Sequence, residues 1–215
     1  MKSLNIPMLQ CQKLQDLDTA LELGGERFQI DCLNWPEDFP YAPICAGRIG
    51  RIYEALVVDF RVSGLDLRIQ NLADGGRIWE DSACEIFIQP FPGAAYFNFE
   101  VNAAGYLLAA CGSSRNARTA LCADALARVI RIPSLEGQFL KETVNLSGLW
   151  NWRVTLVIPW TILGLDCAAL PSSLRGNLYK CGDLTAHPHF ATWAPVQTPA
   201  PDYHRPEYFG EFKLV

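Results

Sequence analysis

The sequence predicts an all-β fold, an antiparallel β-sandwich of two sheets with one or two short helical turns. About ten short segments alternate apolar and polar residues, or are rich in β-branched residues, as half-buried strands are. Turns rich in glycine, proline and asparagine separate these segments. Strands do not alternate regularly with helices, which favours antiparallel pairing over a parallel sheet.

Composition indicates one globular domain spanning residues 1–215. Half of the residues are apolar and 19% are charged, which provides a continuous core and argues against long disordered segments. The net charge of −5 and the lack of Lys/Arg clusters argue against a nucleic-acid partner.

Residues 154–165, the most apolar segment, are too few to span a membrane. The N-terminus has no signal-peptide core, so we expect a cytoplasmic protein.

The eight cysteines are spaced too widely for a paired-thiolate metal or redox motif. The nearest two, Cys111 and Cys122, are 122 − 111 = 11 positions apart. Cysteine is among the most buried residue types, and a cytoplasmic location keeps thiols reduced. We therefore expect buried free thiols and no structural disulfide.

In the first half of the chain, the pattern predicts a first strand that ends at Pro36 and a hairpin turn at residues 90–94. Tyr96 and the residues after it alternate aromatic and polar types. The strands predicted here are residues 28–35, 46–53, 55–63, 65–70, 83–89 and 96–101.

In the second half, residues 113–126 are expected to form a connection that can hold a helical turn. Pro159 is placed to open a short helix, because its missing N–H is not needed at the first helical position, and Gly164 is placed to end it. The strands predicted here are residues 106–111, 129–133, 150–158, 177–181, 189–193 and 211–215.

The segment most suggestive of function surrounds Trp79, which lies beside Glu80, Asp81 and Glu85 at the start of a predicted strand. Proteins hold sugars by stacking an aromatic ring on the apolar face of the sugar and directing polar groups at its hydroxyls. Trp79 is the candidate aromatic plate, meaning the ring on which the sugar stacks, and Glu85 or Asp81 is the candidate acceptor. The alternative is that Trp79 is a core residue and the acids form a solvated face.

Two other kinds of chemistry are weaker alternatives. Glu85 and Glu100 lie on adjacent predicted strands, where a glycoside hydrolase would need two carboxyl groups about 5 to 9.5 Å apart. His187 and His189 share a face if their segment is extended, but a metal site needs a third ligand, so structural histidines are favoured.

The C-terminal loop, WAPVQTPAPDYHRPEYFG (193–210), presents Tyr203, His204, Arg205 and Tyr208 along a proline-rich path. Loops on a rigid β scaffold commonly carry binding residues. The same loop can instead be a strap that covers the edge of the sandwich and prevents edge-to-edge pairing. Both interpretations remain open at this point.

Six segments in this order resemble the family 9-like carbohydrate-binding modules, a DOMON-like group of two-sheet, immunoglobulin-like sandwiches. The resemblance covers nearly the whole chain and is closest to the free-standing, single-domain branch. The segments are WEDSACEIFIQP, YFNFEVNAAG, WRVTLVIPWTILG, NLYKCGD, HFATWAPV and PDYHRPEYFG.

The resemblance implies a sugar clamped between two aromatic plates. In modules attached to xylan-degrading enzymes, two tryptophans clamp a terminal sugar, and a glutamate six positions after the first accepts from a hydroxyl. Trp79 precedes Glu85 by 85 − 79 = 6 positions, and Tyr203 stands at the position of the second tryptophan. Structural calcium is also implied, although its ligands have no residue-by-residue match.

This chain departs from the family pattern at two site positions. Glu100 stands where those modules have an arginine that contacts sugar, and Ala200 stands where they have an asparagine. Arg205 or Arg115 is the candidate for the missing cation. The identity of the sugar is therefore expected to differ.

The sequence thus predicts a protein that binds a mono- or oligosaccharide non-covalently between Trp79 and Tyr203. Glu85 is the predicted hydrogen-bond acceptor, and Asn98, Glu100 and Arg205 are predicted to line the site. No cofactor beyond a possible calcium ion and no membrane partner are expected. Glycoside hydrolysis by Glu85 and Glu100 is the main alternative. Haem or redox binding is weaker, because Met1 and Met8 are the only methionines.

Overall fold

Two β-sheets built from fourteen strands make up most of the structure, a computed structural model that describes residues 1–11 and 13–215. The strands are β1 (Ser3–Ile6), β2 (Glu26–Gln29), β3 (Cys32–Leu33), β4 (Ile44–Ile52), β5 (Ala55–Ile69), β6 (Ala83–Gln89), β7 (Tyr96–Asn102), β8 (Leu107–Ser114), β9 (Ala117–Ala120), β10 (Ile130–Pro133), β11 (Val144–Pro159), β12 (Ser173–Cys181), β13 (Phe190–Thr192) and β14 (Gly210–Leu214). The α-helices are α1 (Leu17–Gly24) and α2 (Ala123–Arg128), and 3-10 turns occur at Leu14–Asp16, Ile78–Glu80, Gly137–Leu140, Trp160–Leu163 and Pro206–Tyr208.

The first sheet has the order β1-β14-β12-β6-β7-β8-β9, with β13 beside β12 and β3 beside β13. Its pairs are antiparallel except for β1 with β14. The second sheet has the order β10-β11-β5-β4-β2 and is antiparallel throughout. This architecture confirms the predicted antiparallel sandwich.

The core lies between the two sheets and follows from the period-2 alternation of the strands. On β6, Ile86 and Ile88 point into the core, whereas Glu85 and Phe87 point to the other face of the first sheet. Opposite them, the long β5 and β11 pair along most of their lengths and contribute residues such as Phe60 to the same core. The alternation predicted for β6 is therefore confirmed.

The outer face of the first sheet is also covered. Residues 193–209, here called the C-terminal strap, cross this face between β13 and β14. Tyr203 and Phe209 of the strap join Phe87, Tyr96 and Tyr179 of the sheet in a second apolar cluster. The strap therefore covers the face of the sheet and not its edge, and part of that face remains accessible as a cavity.

The segment at residues 28–35 was predicted to be one strand, and this was wrong. It is divided between the sheets, because β2 pairs with β4 in the second sheet whereas β3 pairs with β13 in the first. Each half keeps strand-like alternation, so the crossover between them leaves no trace in the hydrophobic pattern.

Helical content exceeds the one or two predicted turns. Helix α1 was not predicted; Leu17 and Leu21 of this helix pack against Val57 and Val157 on the outer face of the second sheet. The predicted turn after Pro159 is present, and Gly164 ends it with a left-handed φ of 71°. Helix α2 lies in the connection where a helical turn was expected, but β9 precedes it and was missed.

All eight cysteines are described, and none of them forms a disulfide. The buried thiols of Cys45 and Cys84 lie 3.9 Å apart across the core. Across the described residues, no helix combines the length and apolar character needed to cross a membrane.

Candidate functional site

A cavity of about 340 Å³ opens on the outer face of the first sheet, beside the C-terminal strap. Ligand sites typically measure about 300 to 1,000 Å³, so this volume suits a small ligand. The strands β6, β7, β12 and β13, the 3-10 turn at Ile78–Glu80, the β8–β9 hairpin, the loop that carries Phe39 and the strap enclose it. The lining residues are Phe39, Trp79, Glu85, Glu100, Arg115, Arg118, Cys181, Asp183, Phe190, Pro201, Tyr203 and His204.

Two glutamates form the floor of the cavity. Glu85 on β6 and Glu100 on β7 are direct cross-strand partners, and they are only 3% and 2% exposed. Side chains paired in this way have Cβ atoms about 4.5 to 5.5 Å apart, and like charges at that separation are destabilising. A buried Glu–Glu pair is therefore a costly arrangement for folding alone.

The hydrogen bonds of these glutamates leave capacity unused. Cys181 donates its thiol to Glu85 Oε1 at 3.0 Å. Glu100 Oε1 accepts from Asn98 Nδ2 at 3.0 Å and from Arg118 Nη1 at 3.3 Å. Glu100 Oε2 is buried and has no hydrogen-bond partner within the described chain. Buried polar atoms are normally paired, so a free acceptor beside a cavity is suited to a ligand.

Burial also changes the protonation of the acids. Desolvation, reinforced by the charge of Glu100, raises the pKa of Glu85 well above its ordinary value. Desolvation raises the pKa of Glu100 to about 7, against the opposing effect of Arg118. It likewise raises the pKa of Asp183 to about 6. The unliganded floor is therefore partly protonated at neutral pH.

Trp79 forms one wall from the 3-10 turn at Ile78–Glu80 and is half-buried. Its carbonyl accepts from the backbone N–H of Asp183 at 3.2 Å, which joins the turn to the loop after β12. The guanidinium of Arg77 lies 5.7 Å from the centre of the indole, a cation–π contact. These contacts hold the indole in place beside the acids.

Tyr203 lines the cavity but is strongly committed to packing. Its ring stacks on Tyr179 with centroids 4.1 Å apart, and its hydroxyl donates to the carbonyl of Lys180 at 3.0 Å. Phe190 packs edge-on against Tyr203 at 6.3 Å and against Phe39 at 4.7 Å. The wall beside Tyr203 is therefore a group of three aromatic rings.

Of the six predicted site residues, four line the cavity: Trp79, Glu85, Glu100 and Tyr203. Asn98 lies behind the floor, fully buried, and orients Glu100. Arg205 is exposed, pairs with Asp202 at 2.6 Å and is not among the residues that line the cavity.

The cations of the site come from the β8–β9 hairpin. Arg115 pairs with Asp202 of the strap at 3.1 Å, and Arg118 pairs with Glu100. Arg115 was one of the two candidates for the missing cation, whereas Arg118 was not foreseen, because β9 was not predicted. Asp183, in the segment NLYKCGD, was also missed as a site residue, although it directly follows Gly182 after β12.

His204 contributes a neutral imidazole to the cavity. Burial, reinforced by the charges of Arg118 and Arg115, lowers the pKa of His204 to about 3. Its Nδ1 and the hydroxyl of Tyr96 are hydrogen-bonded at 2.8 Å. His204 therefore adds no charge near neutral pH.

The other histidines are structural. His187 Nδ1 lies 2.8 Å from Asp66 Oδ2, and His189 Nε2 lies 2.8 Å from the ammonium of the buried Lys180. In the part of the chain that the structure describes, no three His, Cys, Asp or Glu side chains are arranged to hold a metal ion. Asp81, beside Trp79, uses its carboxylate on the backbone N–H groups of Gln70 and Asn71. Asp81 therefore has a structural role beside Trp79.

A search of curated proteins finds no match. Solved structures, in contrast, share the architecture of this chain. A crystal structure of a proposed carbohydrate-binding protein from Bacteroides uniformis ATCC 8492 has a TM-score of 0.91 and 30% identity, and the match covers 100% of this chain and 99% of that chain.

Two structures of a family 9 carbohydrate-binding module from Caldicellulosiruptor kristjanssonii share the fold. The one in complex with glucose has a TM-score of 0.62 and 14% identity, covering 100% of this chain and 96% of that chain. The one in complex with cellotriose has a TM-score of 0.57 and 12% identity, covering 99% and 93%.

The family model described as carbohydrate-binding family 9 matches residues 16–214. This match includes every segment that builds the cavity. The chain belongs to carbohydrate-binding family 9.

Proposed function

We propose that this protein binds a small saccharide in the cavity between Trp79 and the strap, without transforming it. The observation that carries the proposal is the joint presence of a half-buried indole and acids with free hydrogen-bonding capacity in one cavity. Trp79 offers an apolar surface for a sugar ring, and Glu85, Glu100 and Asp183 offer acceptors for hydroxyls. The glucose and cellotriose complexes of the Caldicellulosiruptor modules support the choice of a saccharide.

The roles of the two plates are unequal in this proposal. Tyr203 already stacks one face of its ring on Tyr179 and is only 6% exposed, so little of its surface is available to the ligand. Trp79 provides the main stacking surface, and Phe39 and Phe190 complete the apolar wall. Asn98 and Arg118 hold Glu100 toward the ligand.

The test is calorimetric titration with a panel of mono- and oligosaccharides, on the wild type and on Trp79→Ala. Loss of the stacking surface is expected to weaken binding by about 30-fold, corresponding to about 2 kcal/mol. Trp150→Ala is the matched control, because Trp150 is a half-buried tryptophan on β11 that packs on Phe139 away from the cavity. No heat with any sugar, or equal affinity in Trp79→Ala and wild type, would refute the proposal.

Glycoside hydrolysis is the second candidate, because Glu85 and Glu100 share the cavity. Both project from one face of one sheet, whereas a hydrolase places its carboxyl groups on two sides of the scissile bond. We expect no release of nitrophenol from aryl glycosides; release that is lost in Glu85→Gln would favour the hydrolase.

A further inference from the structure

Carboxyl groups outnumber guanidinium groups in the lining of the cavity. Three carboxyl groups line it, those of Glu85, Glu100 and Asp183, against the guanidiniums of Arg115 and Arg118. Both guanidiniums already have carboxylate partners, because Arg118 pairs with Glu100 and Arg115 pairs with Asp202 outside the floor.

Glu85 and Asp183, by contrast, form no ion pair with any described lysine or arginine. The thiol of Cys181 is a weak donor to Glu85 and brings no positive charge. The negative charge of Asp183 further raises the pKa of Glu85. The charge of Arg115 lowers the pKa of both acids without pairing with either.

A second observation is independent of the count of acids. Glu100 is almost wholly buried and lines the cavity, and its Oε2 has no partner in residues 1–11 and 13–215. Leaving a buried carboxylate oxygen unsatisfied is costly unless a ligand supplies the missing donor. Glu100 therefore keeps one acceptor for which the described residues supply no donor.

We propose that the saccharide recognised here carries a protonated primary amine, an amino sugar whose ammonium group is bound by Glu85, Glu100 and Asp183. This inference rests on the proposed function. An ammonium group has three N–H donors and a positive charge, and the carboxyl groups that line the cavity have acceptors to receive them. A hydroxyl supplies one donor and no charge, and a uronic acid would add a further anion beside the three acids.

Binding of the ammonium changes the protonation of the floor. The cation stabilises the ionised form of Glu85, so the proton that Glu85 carries in the free protein is released to the buffer. A neutral sugar brings no such charge, so it leaves the proton on Glu85. Proton release therefore distinguishes the two classes of ligand.

The experiment compares three hexoses, glucose, galactose and mannose, with their 2-amino-2-deoxy counterparts by calorimetry at about pH 6, where such an amine is protonated. In at least one pair, the amino sugar is expected to bind about 10- to 100-fold more tightly, which is about 1.4 to 2.8 kcal/mol. Repeating the titration in buffers of different ionisation enthalpy is expected to reveal proton release with the amino sugar only, and of more than one proton, because Glu100, with a pKa of about 7, is also largely protonated at this pH. N-acetylglucosamine and glucuronic acid, which lack the free amine, are expected to show no gain over glucose.

Two variants test the assignment to these residues. Glu85→Gln has nearly the shape of the protonated acid and is expected to fold, to lose the preference for amino sugars and to release fewer protons than the wild type. Asp183→Asn is expected to reduce the same preference, and Asp124→Asn on helix α2, an exposed acid away from the lining residues, is expected to retain it. A thermal melt of each variant confirms folding.

The outcomes separate this inference from the proposed function. Neutral hexoses that bind as tightly as their amino counterparts would overturn the inference and leave saccharide binding intact. A preference that survives in both Glu85→Gln and Asp183→Asn would also overturn it. Absence of binding to any hexose, amino hexose or oligosaccharide would overturn both.

Discussion

At the residue scale, the central feature is a pair of buried glutamates that folding alone does not favour. Glu85 and Glu100 are cross-strand partners on the outer face of the first sheet. Asn98, Arg118 and Cys181 satisfy only part of their hydrogen-bonding capacity. The local cost is consistent with a binding site, where proteins commonly retain strained or unsatisfied groups.

The raised pKa of Glu100 predicts a pH dependence of stability. Its pKa rises from 4.5 to about 7 on folding, so the group favours the folded state fully below about pH 4.5 and ceases to do so as pH rises through about 7. Relative to Glu100→Gln, the wild type is expected to lose on the order of 1 to 3 kcal/mol of unfolding free energy over that interval. Chemical denaturation at several pH values measures this difference.

The comparison with Glu100→Gln matters because other groups titrate in the opposite sense. Burial lowers the pKa values of His189 and His204, so their contribution to stability is lost as pH falls. Both histidines are present in both proteins, so their contribution cancels in the difference. Parallel stability curves for the two proteins would contradict the prediction.

At the scale of elements, the strap gives the site its shape. Its start is bound to β12, where Asn177 Nδ2 donates to the carbonyl of Ala194 at 3.0 Å and Asn177 Oδ1 accepts from the N–H of Ala194 at 2.8 Å. Further along, Trp35 donates to the carbonyl of Thr198 at 2.7 Å. These bonds hold an irregular, proline-rich segment against a sheet face, where it carries Pro201, Tyr203 and His204 to the cavity.

Asn177→Ala is expected to loosen the start of the strap. The change leaves the buried N–H of Ala194 without its acceptor and opens a gap, so the unfolding free energy should fall by about 2 to 4 kcal/mol. Saccharide affinity should fall as well, because the strap positions Tyr203. Urea denaturation and calorimetry measure the two effects.

Asn145→Ala on β11 is the control for this prediction, because Asn145 is an exposed strand asparagine. It is expected to change stability by less than about 0.5 kcal/mol. If the two variants were equally stable, the strap would not depend on Asn177.

At the scale of the whole molecule, the cavity exists only when the first sheet, the β8–β9 hairpin and the strap are assembled. A ligand of this cavity therefore binds the folded protein and not the unfolded chain. At a free concentration about 100 times its dissociation constant, such a ligand stabilises the fold by about 2.7 kcal/mol.

For a protein of this size, that stabilisation corresponds to a rise in Tm of about 5 to 10 °C. Differential scanning calorimetry with and without the best ligand of the panel measures it. Trp79→Ala at the same ligand concentration is expected to show a smaller shift, because its affinity is lower. Equal shifts in both proteins would place the binding elsewhere.

The sequence by itself determined the sandwich and much of the floor and walls of the site. Period-2 alternation placed Ile86 inside and Glu85 outside, since a strand must alternate its faces. The turn after Pro159 and its end at Gly164 followed from local backbone preferences. Trp79, Glu85, Glu100 and Tyr203 were recognised through local motifs and the family resemblance, and all four line the cavity.

The tertiary structure decided what depends on contacts between distant segments. The crossover between β2 and β3 is invisible locally, because each half alternates normally and only its partner strand differs. Arg118 enters the site because β9 folds back on β8, and Arg205 stays outside because the strap directs it toward Asp202. The protonation of Glu85, Glu100 and Asp183 was likewise decided in three dimensions, since desolvation depends on what covers a carboxyl group and not on its neighbours in sequence.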